Sequence, residues 1–384
     1  MNTAFSRTDR SMLSHWWWTV DRWTVAAIIV IVATGAILAL AASPPVAQRI
    51  GLDTFYFAHR QFIVLPIALI LMFSVSLLNR EGVRLLALVC FGLSVLLMIY
   101  TMFSGVEIKG ATRWIFIAGN SLQPSEFVKP SFAIVTAWMF AAWRLREDFP
   151  GYMVAVGLYL AVAALLLMQP DVGMAILVSV AWGVQFFLAG LPMVLVMAIG
   201  VVFIIGGFAA YFNFDHVQSR IDRFFDPAGS EAYQVARSLE AFINGGIFGR
   251  GPGEGQIKAV LPDAHADFIF AVAGEEFGLM LTLLIVGLFL FVVLRGFVRA
   301  FRETDLFVQL AVAGLLVQFG LQAIINMAST LNLMPTKGMT LPFISYGGSS
   351  MMALALGIGT VLALTRERPG QDGDGISAQW RRSS

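Results

Sequence analysis

Charge is scarce in this sequence. Asp, Glu, Lys and Arg make up 13% of 384 residues against 58% hydrophobic ones, and the mean hydropathy is +0.79. So few polar groups cannot coat a water-soluble globule, and the composition implies an all-α polytopic membrane protein. The single cysteine, Cys90, sits in an apolar run and has no partner for an internal disulfide. His15, His59, His216 and His265 do not form, with it, a metal-ligand spacing. The sequence contains no GxSxG nucleophile elbow, no phosphate-binding GxxxxGK(S/T) loop and no internal repeat of the transporter kind. A net charge of +1 gives no whole-protein attraction to nucleic acid. Acid–base chemistry is left to carboxylates.

Apolar runs long enough to cross a bilayer lie near residues 24–43, 62–78, 83–103, 127–143, 152–168, 171–189, 192–211, 267–294, 306–328 and 343–364. About ten transmembrane helices put both termini on one side. That side collects Arg7, Arg10, Arg22, Arg80, Arg84, Arg144, Arg146, Arg295, Arg299, Arg302 and Arg366, and the positive-inside rule makes it cytoplasmic. Residues 1–23 then form a cytoplasmic N-terminal segment, 24–365 the membrane domain, and 366–384 a tail whose Gly, Asp, Arg and Ser content reads as disordered. Ala39-Leu40-Ala41 looks like a cleavage site, but the length of the first run and the interfacial tryptophans before it favour a retained span. One long connection, residues 213–266, faces outward. All four lysines, Lys109, Lys129, Lys258 and Lys337, fall on that outer side against the topological bias, which suggests a task.

Four stretches on the outer side carry the polar chemistry. The first runs from Ile243 to Gly278, through a glycine-rich segment and Ala264-His265-Ala266-Asp267, into a hydrophobic helix. Asp267 stands where loop becomes helix, as a base facing water or as an ordinary helix cap. Behind it Ala271, Gly274 and Gly278 leave one helix face nearly bare, for a close neighbour or for a lipid groove. Glu275 and Glu276 then fall roughly 12 Å deeper, near mid-membrane, where they need partners or water. In the second stretch Glu126 and Lys129 share a helix side with Ser125, as a structural ion pair or an anion site. Gln169-Pro170-Asp171 is the third, a break followed by an acid that also suits a plain helix start. The fourth, Pro335 to Ser350, contains Lys337 and Ser345 and reads as a phosphate cradle or as small residues for helix packing.

These motifs, GATRWI, QPSEFVK, QPDVGMA, SLEAFINGGIFGRGPGEG, LPDAHADFIFAVAGEEFG and PTKGMTLPFISYGGSS, resemble in order the SEDS family of cell-wall polymerases. That group contains the division protein FtsW, the elongation protein RodA and the sporulation protein SpoVE. The likeness covers residues 24–365. The AHADF segment before GEEFG and the GRGPGEG run look more like the division branch than the elongation branch. Ala266 departs from the family, where Thr is usual, and leaves the neighbouring acid in place.

The resemblance implies a ten-span peptidoglycan glycosyltransferase that polymerises lipid II on the outer face of the cytoplasmic membrane, at the division septum, releasing undecaprenyl pyrophosphate. The family's essential loop aspartate falls on Asp267, and its other charged motif positions on Arg113, Glu126, Lys129, Asp171, Glu275 and Lys337. On this footing Asp267 is the expected base. Arg113, Lys129, Lys337, Arg220 and Arg223 are expected to steady the leaving pyrophosphate, with Ser345 beside them. Glu126, Asp171 and Glu275 form a supporting charge network. No cofactor is certain; a divalent cation, Mg or Mn, would assist the phosphates, although no dedicated ligand cluster is present. A class B penicillin-binding protein transpeptidase of the FtsI type and other divisome membrane proteins are the implied partners. A lipid II flippase and a noncatalytic division scaffold are the alternatives.

Overall fold

A computed structural model describes residues 12–108, 111–117, 119–146, 148–190, 193–213, 218, 222, 230–335 and 338–367. Arg220, Arg223, Lys337, residues 1–11 of the N-terminal segment and residues 368–384 of the C-terminal one lie outside them. The chain forms a helical bundle in the order α1 Met12–Thr19, α2 Arg22–Arg49, α3 Tyr56–Ser76 and α4 Arg80–Ser104. A small sheet follows, β1 Val106–Ile108, β2 Ala111–Ile117 and β3 Asn120–Leu122. Then come α5 Pro124–Leu145, α6 Gly151–Met168, α7 Val172–Leu188, α8 Met193–Asn213, α9 Ser230–Gly245, α10 Ile269–Ala300, α11 Leu306–Thr330 and α12 Gly348–Leu364.

The ten expected spans correspond to α2–α8 and α10–α12. Six of the described helices are long and apolar enough to cross a membrane by length and composition, and α7 and α12 are shorter apolar helices. One core packs α2, α3, α10 and α12, through Ile28, Ile31, Leu38, Phe289 and Ile358; a second packs α4–α7, through Phe132, Phe140, Leu166 and Phe186. Helix α11 serves both, with Phe307 and Leu316 in the second and Phe319 in the first, and so forms the axis of the bundle.

At one end of the bundle the arginines grouped by sequence come together with acids. Asp21, at the start of α2, takes both a 2.6 Å and a 2.7 Å bond from Arg295 and pairs with Arg299 at 3.4 Å. Burial alone would push the Asp21 carboxyl up; hydrogen bonds from Arg295 and Thr24 and the nearby guanidinium charges outweigh it and hold the group below its ordinary value. Arg80 pairs with Glu303 and Asp305, and Arg299 with Glu367.

The opposite end departs from the sequence expectation twice. The stretch expected to be a plain outer loop is a three-stranded antiparallel sheet, with Glu107 opposite Thr112 and Phe116 opposite Ser121. Its alternation of β-branched and aromatic residues, Thr112 to Ile117, explains the strand.

The eighth span, expected to be continuous, is broken at Gly278, whose φ of 71° and ψ of −167° only glycine adopts freely. Ile269 to Glu276 are buried on every side, whereas Leu279, Met280, Leu283, Leu284, Leu290 and Leu294 after the break are exposed as a lipid-facing surface would be. From Leu279 the helix runs about 33 Å, enough to cross the hydrocarbon core by itself. Glu275 and Glu276 therefore sit in a cap at the rim and not at mid-membrane.

The glycine run preceding α10 repairs the break. The N–H groups of Arg250 and Gly251 donate to the carbonyls of Glu275 and Glu276, each at 2.9 Å. The N–H groups of Leu279 and Met280 donate to Gly246 and Ile247, at 2.9 and 3.3 Å. Both helix ends freed at Gly278 thus regain partners, as backbone buried away from water requires. The bare face of α10 is used for close packing: a methyl on Gly274 would enter the Phe242 ring, and one on Gly278 the backbone of Ile247 and Gly249.

Gly278→Ala is expected to cost about 2–4 kcal/mol through left-handed backbone strain and this collision. Gly92→Ala, in α4 with open space around it, should be neutral or slightly stabilising. Thermal unfolding of both variants in detergent checks the contrast, and equal Tm values would contradict it.

Candidate active site

Asp267 belongs to a tight turn that immediately precedes α10. The Asp263 carbonyl, on a residue with φ of 51°, accepts the N–H groups of Ala266 and Asp267 at 3.0 Å. The N-cap of α10 is Phe268, without a side-chain cap, so Asp267 stands one residue outside the cap position. Its side chain is half-buried and not sealed.

Three stitches fix this turn to the segment that leads into α12. Asn326 Nδ2 donates to the Asp267 carbonyl at 3.0 Å and to the Met339 carbonyl at 2.7 Å. Ser345 Oγ donates to the Ala266 carbonyl at 2.6 Å and accepts from Leu341 N at 2.8 Å. Tyr346 N donates to the His265 carbonyl at 3.0 Å, while the His265 ring lies 4.0 Å from Phe57 and 5.4 Å from Tyr346 by centroid. Gly338 lies against the carboxylate, close enough that a Cβ there would be 3.8 Å from Asp267 Oδ2. Lys337, its neighbour in sequence, is outside the described residues.

Ser345 therefore works on backbone. It is 3% exposed, its hydroxyl is occupied on both sides, and α12 begins only at Gly348. The substrate-binding role expected of it does not fit this geometry. A turn unsuited to helix, with Phe343 at φ 60°, delays the helix start.

The other expected residues form separate networks. Lys129 Nζ lies 2.7 Å from Glu126 Oε2 and donates to Gln322 Oε1 at 2.9 Å. Gln322 Nε2 in turn donates to the Thr340 carbonyl at 3.0 Å. Beside Lys129 is a cavity of about 20 Å³ lined by Gln318, Gln322, Phe319 and residues of α12, which has room for a water and none for a sugar. Arg113, carried on β2, pairs with Asp171 at 3.1 Å and donates to the Pro170 carbonyl at 3.1 Å. Asp171 also caps α7 by accepting from Met174 N. Each of these cations is thus neutralised by an acid of the same chain.

Among the described residues Glu275 has no charge partner. Its carboxylate accepts the N–H groups of Gln256 and Ile257, both at 2.8 Å, and of Lys258 at 3.2 Å, gathering the 3-10 turn Ile257–Ala259. Glu276 pairs with Lys258, which also donates to the Gly253 carbonyl at 3.2 Å. The pair completes the cap on the glycine run.

Sequence reading passed over Asn326 and Gln322. With Gln318, which donates to the Lys129 carbonyl at 2.9 Å, they recur every four residues along α11. Uncharged amides at one helix face inside an apolar span were the available signal. As for the divalent cation, among the described residues no group of three His, Cys, Asp or Glu side chains converges to hold one.

A family model for cell cycle proteins of the FtsW, RodA and SpoVE type matches residues 22–369. The chain belongs to this family. It is 47% identical over 371 residues to the probable peptidoglycan glycosyltransferase FtsW of Caulobacter vibrioides, covering 96% of this chain and 95% of that one. The corresponding Escherichia coli protein is 34% identical, over 87% of this chain and 83% of its own. Among solved structures, a chain from work on coordination of polymerization and crosslinking by a peptidoglycan synthase complex superposes with a TM-score of 0.76. It is 28% identical and covers 92% of this chain and all of that one. Rod shape determining protein RodA of Thermus thermophilus superposes with a TM-score of 0.66 at 28% identity, over 91% and 97%. The SEDS fold and the multi-pass membrane character expected from sequence are thereby established.

Lys129→Met would leave the Glu126 carboxylate buried without a countercharge, at a cost of roughly 3–5 kcal/mol. Lys129→Met with Glu126→Gln should recover most of the loss. Chemical or thermal denaturation in detergent reads both, and a single variant as stable as the parent would remove the pair's structural role.

Proposed function

We propose that this chain is a peptidoglycan glycosyltransferase that polymerises lipid II into β-1,4 glycan strands at the outer face of the cytoplasmic membrane during cell division. The observation that carries the reading is Asp267: a half-buried carboxylate on a turn stitched by backbone bonds to two further elements, in a chain 47% identical to a probable glycosyltransferase FtsW.

The bond forms when the 4-hydroxyl of an acceptor GlcNAc attacks C1 of the donor MurNAc. The hydroxyl proton passes to the Asp267 carboxylate, a transfer that contributes about 10² to 10⁴ in rate. The C1–O bond to undecaprenyl pyrophosphate breaks, and both electrons leave with the phosphate oxygen. A single in-line displacement on an α-linked donor inverts the anomeric centre and gives the β product. The pyrophosphate gains negative charge as it departs, so cations placed beside it stabilise the transition state. Arg113, on the rim sheet with 20% of its side chain exposed, is the described cation best situated and would share its charge between Asp171 and the pyrophosphate; Lys337, Arg220 and Arg223 complete the set.

Buried charge within the spans first suggested transport of lipid II as an alternative. That charge is spent on structure: Lys129 on Glu126 and Gln322, Glu275 on three amides, Glu276 on Lys258. Surface chemistry is therefore preferred over translocation. A penicillin-binding transpeptidase that crosslinks the product is the partner, supported by the likeness to a chain from a peptidoglycan synthase complex. The likeness to FtsW relatives supports septal placement.

Asp267→Asn is expected to lower polymerisation of fluorescent lipid II by at least about 10²-fold, with binding of lipid II retained. Purified protein with its transpeptidase partner, resolved on a glycan gel, checks this. Full-length polymer from the variant would remove Asp267 as the base.

A further inference from the structure

Asn326 is 1% exposed, the last of the three amides on the polar face of α11 and one turn from that helix's C-terminal end. Its amide nitrogen spends both hydrogens on main-chain carbonyls from two different segments, those of Asp267 and Met339. The first bears the candidate base. The second precedes Thr340, to which Gln322, one turn along the same helix, donates. Gln322 also accepts from Lys129. Two adjacent turns of one largely buried helix therefore set the separation between the Asp267 turn, the 339–340 segment and the α5 cation.

We propose that Asn326 is a positioning residue for the transfer reaction: it holds the Asp267 backbone, and through it the carboxylate, in register with the Met339–Thr340 segment. This rests on the glycosyltransferase reading of Asp267. Three features make a structural filler of the same volume an inadequate account. Both donors go to backbone outside α11, where a helix-stabilising amide would bond within its own helix. The bonded carbonyl is that of Asp267 itself, so loss of the donor frees the one residue whose placement matters. Finally, Oδ1 is buried without a hydrogen-bond partner among the described residues. An amide retained despite an unsatisfied acceptor, which costs roughly 1–3 kcal/mol, is kept for its donors.

Displacing a reacting group by about 1 Å costs on the order of 10²-fold in rate. Asn326→Leu keeps the branched shape of the side chain, at a larger volume, and deletes both donors. It is expected to lower kcat for lipid II polymerisation roughly 10- to 100-fold with KM within about two-fold of the parent, at an unchanged gel-filtration profile. A Leu variant with parental kcat, or one with raised KM and parental kcat, overturns the proposal. Should Asn326→Leu fail to fold, Asn326→Gln decides: its extra methylene keeps the donors but pushes the two carbonyls apart, so a reduced kcat at constant KM supports positioning and a parental kcat overturns it. The parent chain with its transpeptidase partner is run alongside. No polymer from the parent defeats the glycosyltransferase reading and this inference with it, whereas polymer from both parent and Leu variant defeats the inference alone.

Discussion

A helix that stops at the edge of a membrane leaves amides and carbonyls with no water to bind, and this chain meets that constraint at Gly278. The stretch Gly245–Gly251 folds against the break and exchanges backbone hydrogen bonds with both halves of α10. Glycine is required because the two backbones touch: side chains on Gly245 or Gly249 would strike the carbonyls of Gly274 and Glu276. The short buried helix Ile269–Phe277 is held as part of a rim cap instead of being drawn into the bilayer with the rest of the span. Asp267, just before that helix, inherits its place from this arrangement.

Further polar residues serve the same cap from other directions. Glu275 gathers three amides of the segment after the glycine run, and Lys258 returns to Glu276. Ser345 and Asn326 tie the Asp267 turn to the approach to α12. The Asp267 turn is thus placed through its main chain, by groups that bond its carbonyls. Rigid backing of this kind is what a general base demands, because proton transfer is efficient only within hydrogen-bond reach.

Much of this was legible in the sequence, and the rest was hidden for identifiable reasons. Hydropathy located the ten helices with ends within about six residues because the signal is summed over a whole helix. The polar motifs were found because charge at a membrane rim stands out. The break at Gly278 was not, since a glycine needed for positive φ and one needed for close packing are the same letter; the sequence reading offered a close neighbour or a lipid groove, and Gly278 serves close packing and positive φ together. With the break missed, Glu275 and Glu276 were placed too deep. Ser345 was read as facing substrate because a serine near a helix start resembles an anion site, whereas the turn at Phe343 points its hydroxyl at Ala266. Asn326 and Gln322 escaped because attention went to titratable groups, and uncharged amides inside a span carry no charge to announce them.

Hydrogen–deuterium exchange on the detergent-solubilised chain measures the cap directly. The amides of Arg250, Gly251, Leu279 and Met280 are expected to exchange slowly and as one block with those of Gln256, Ile257 and Lys258. Glu275→Gln, which turns an amide donor toward N–H groups that need an acceptor, should speed residues 250–258 while leaving α11 unchanged. Rapid exchange of Arg250 and Gly251 in the parent chain, at the rate of an open loop, would contradict the account.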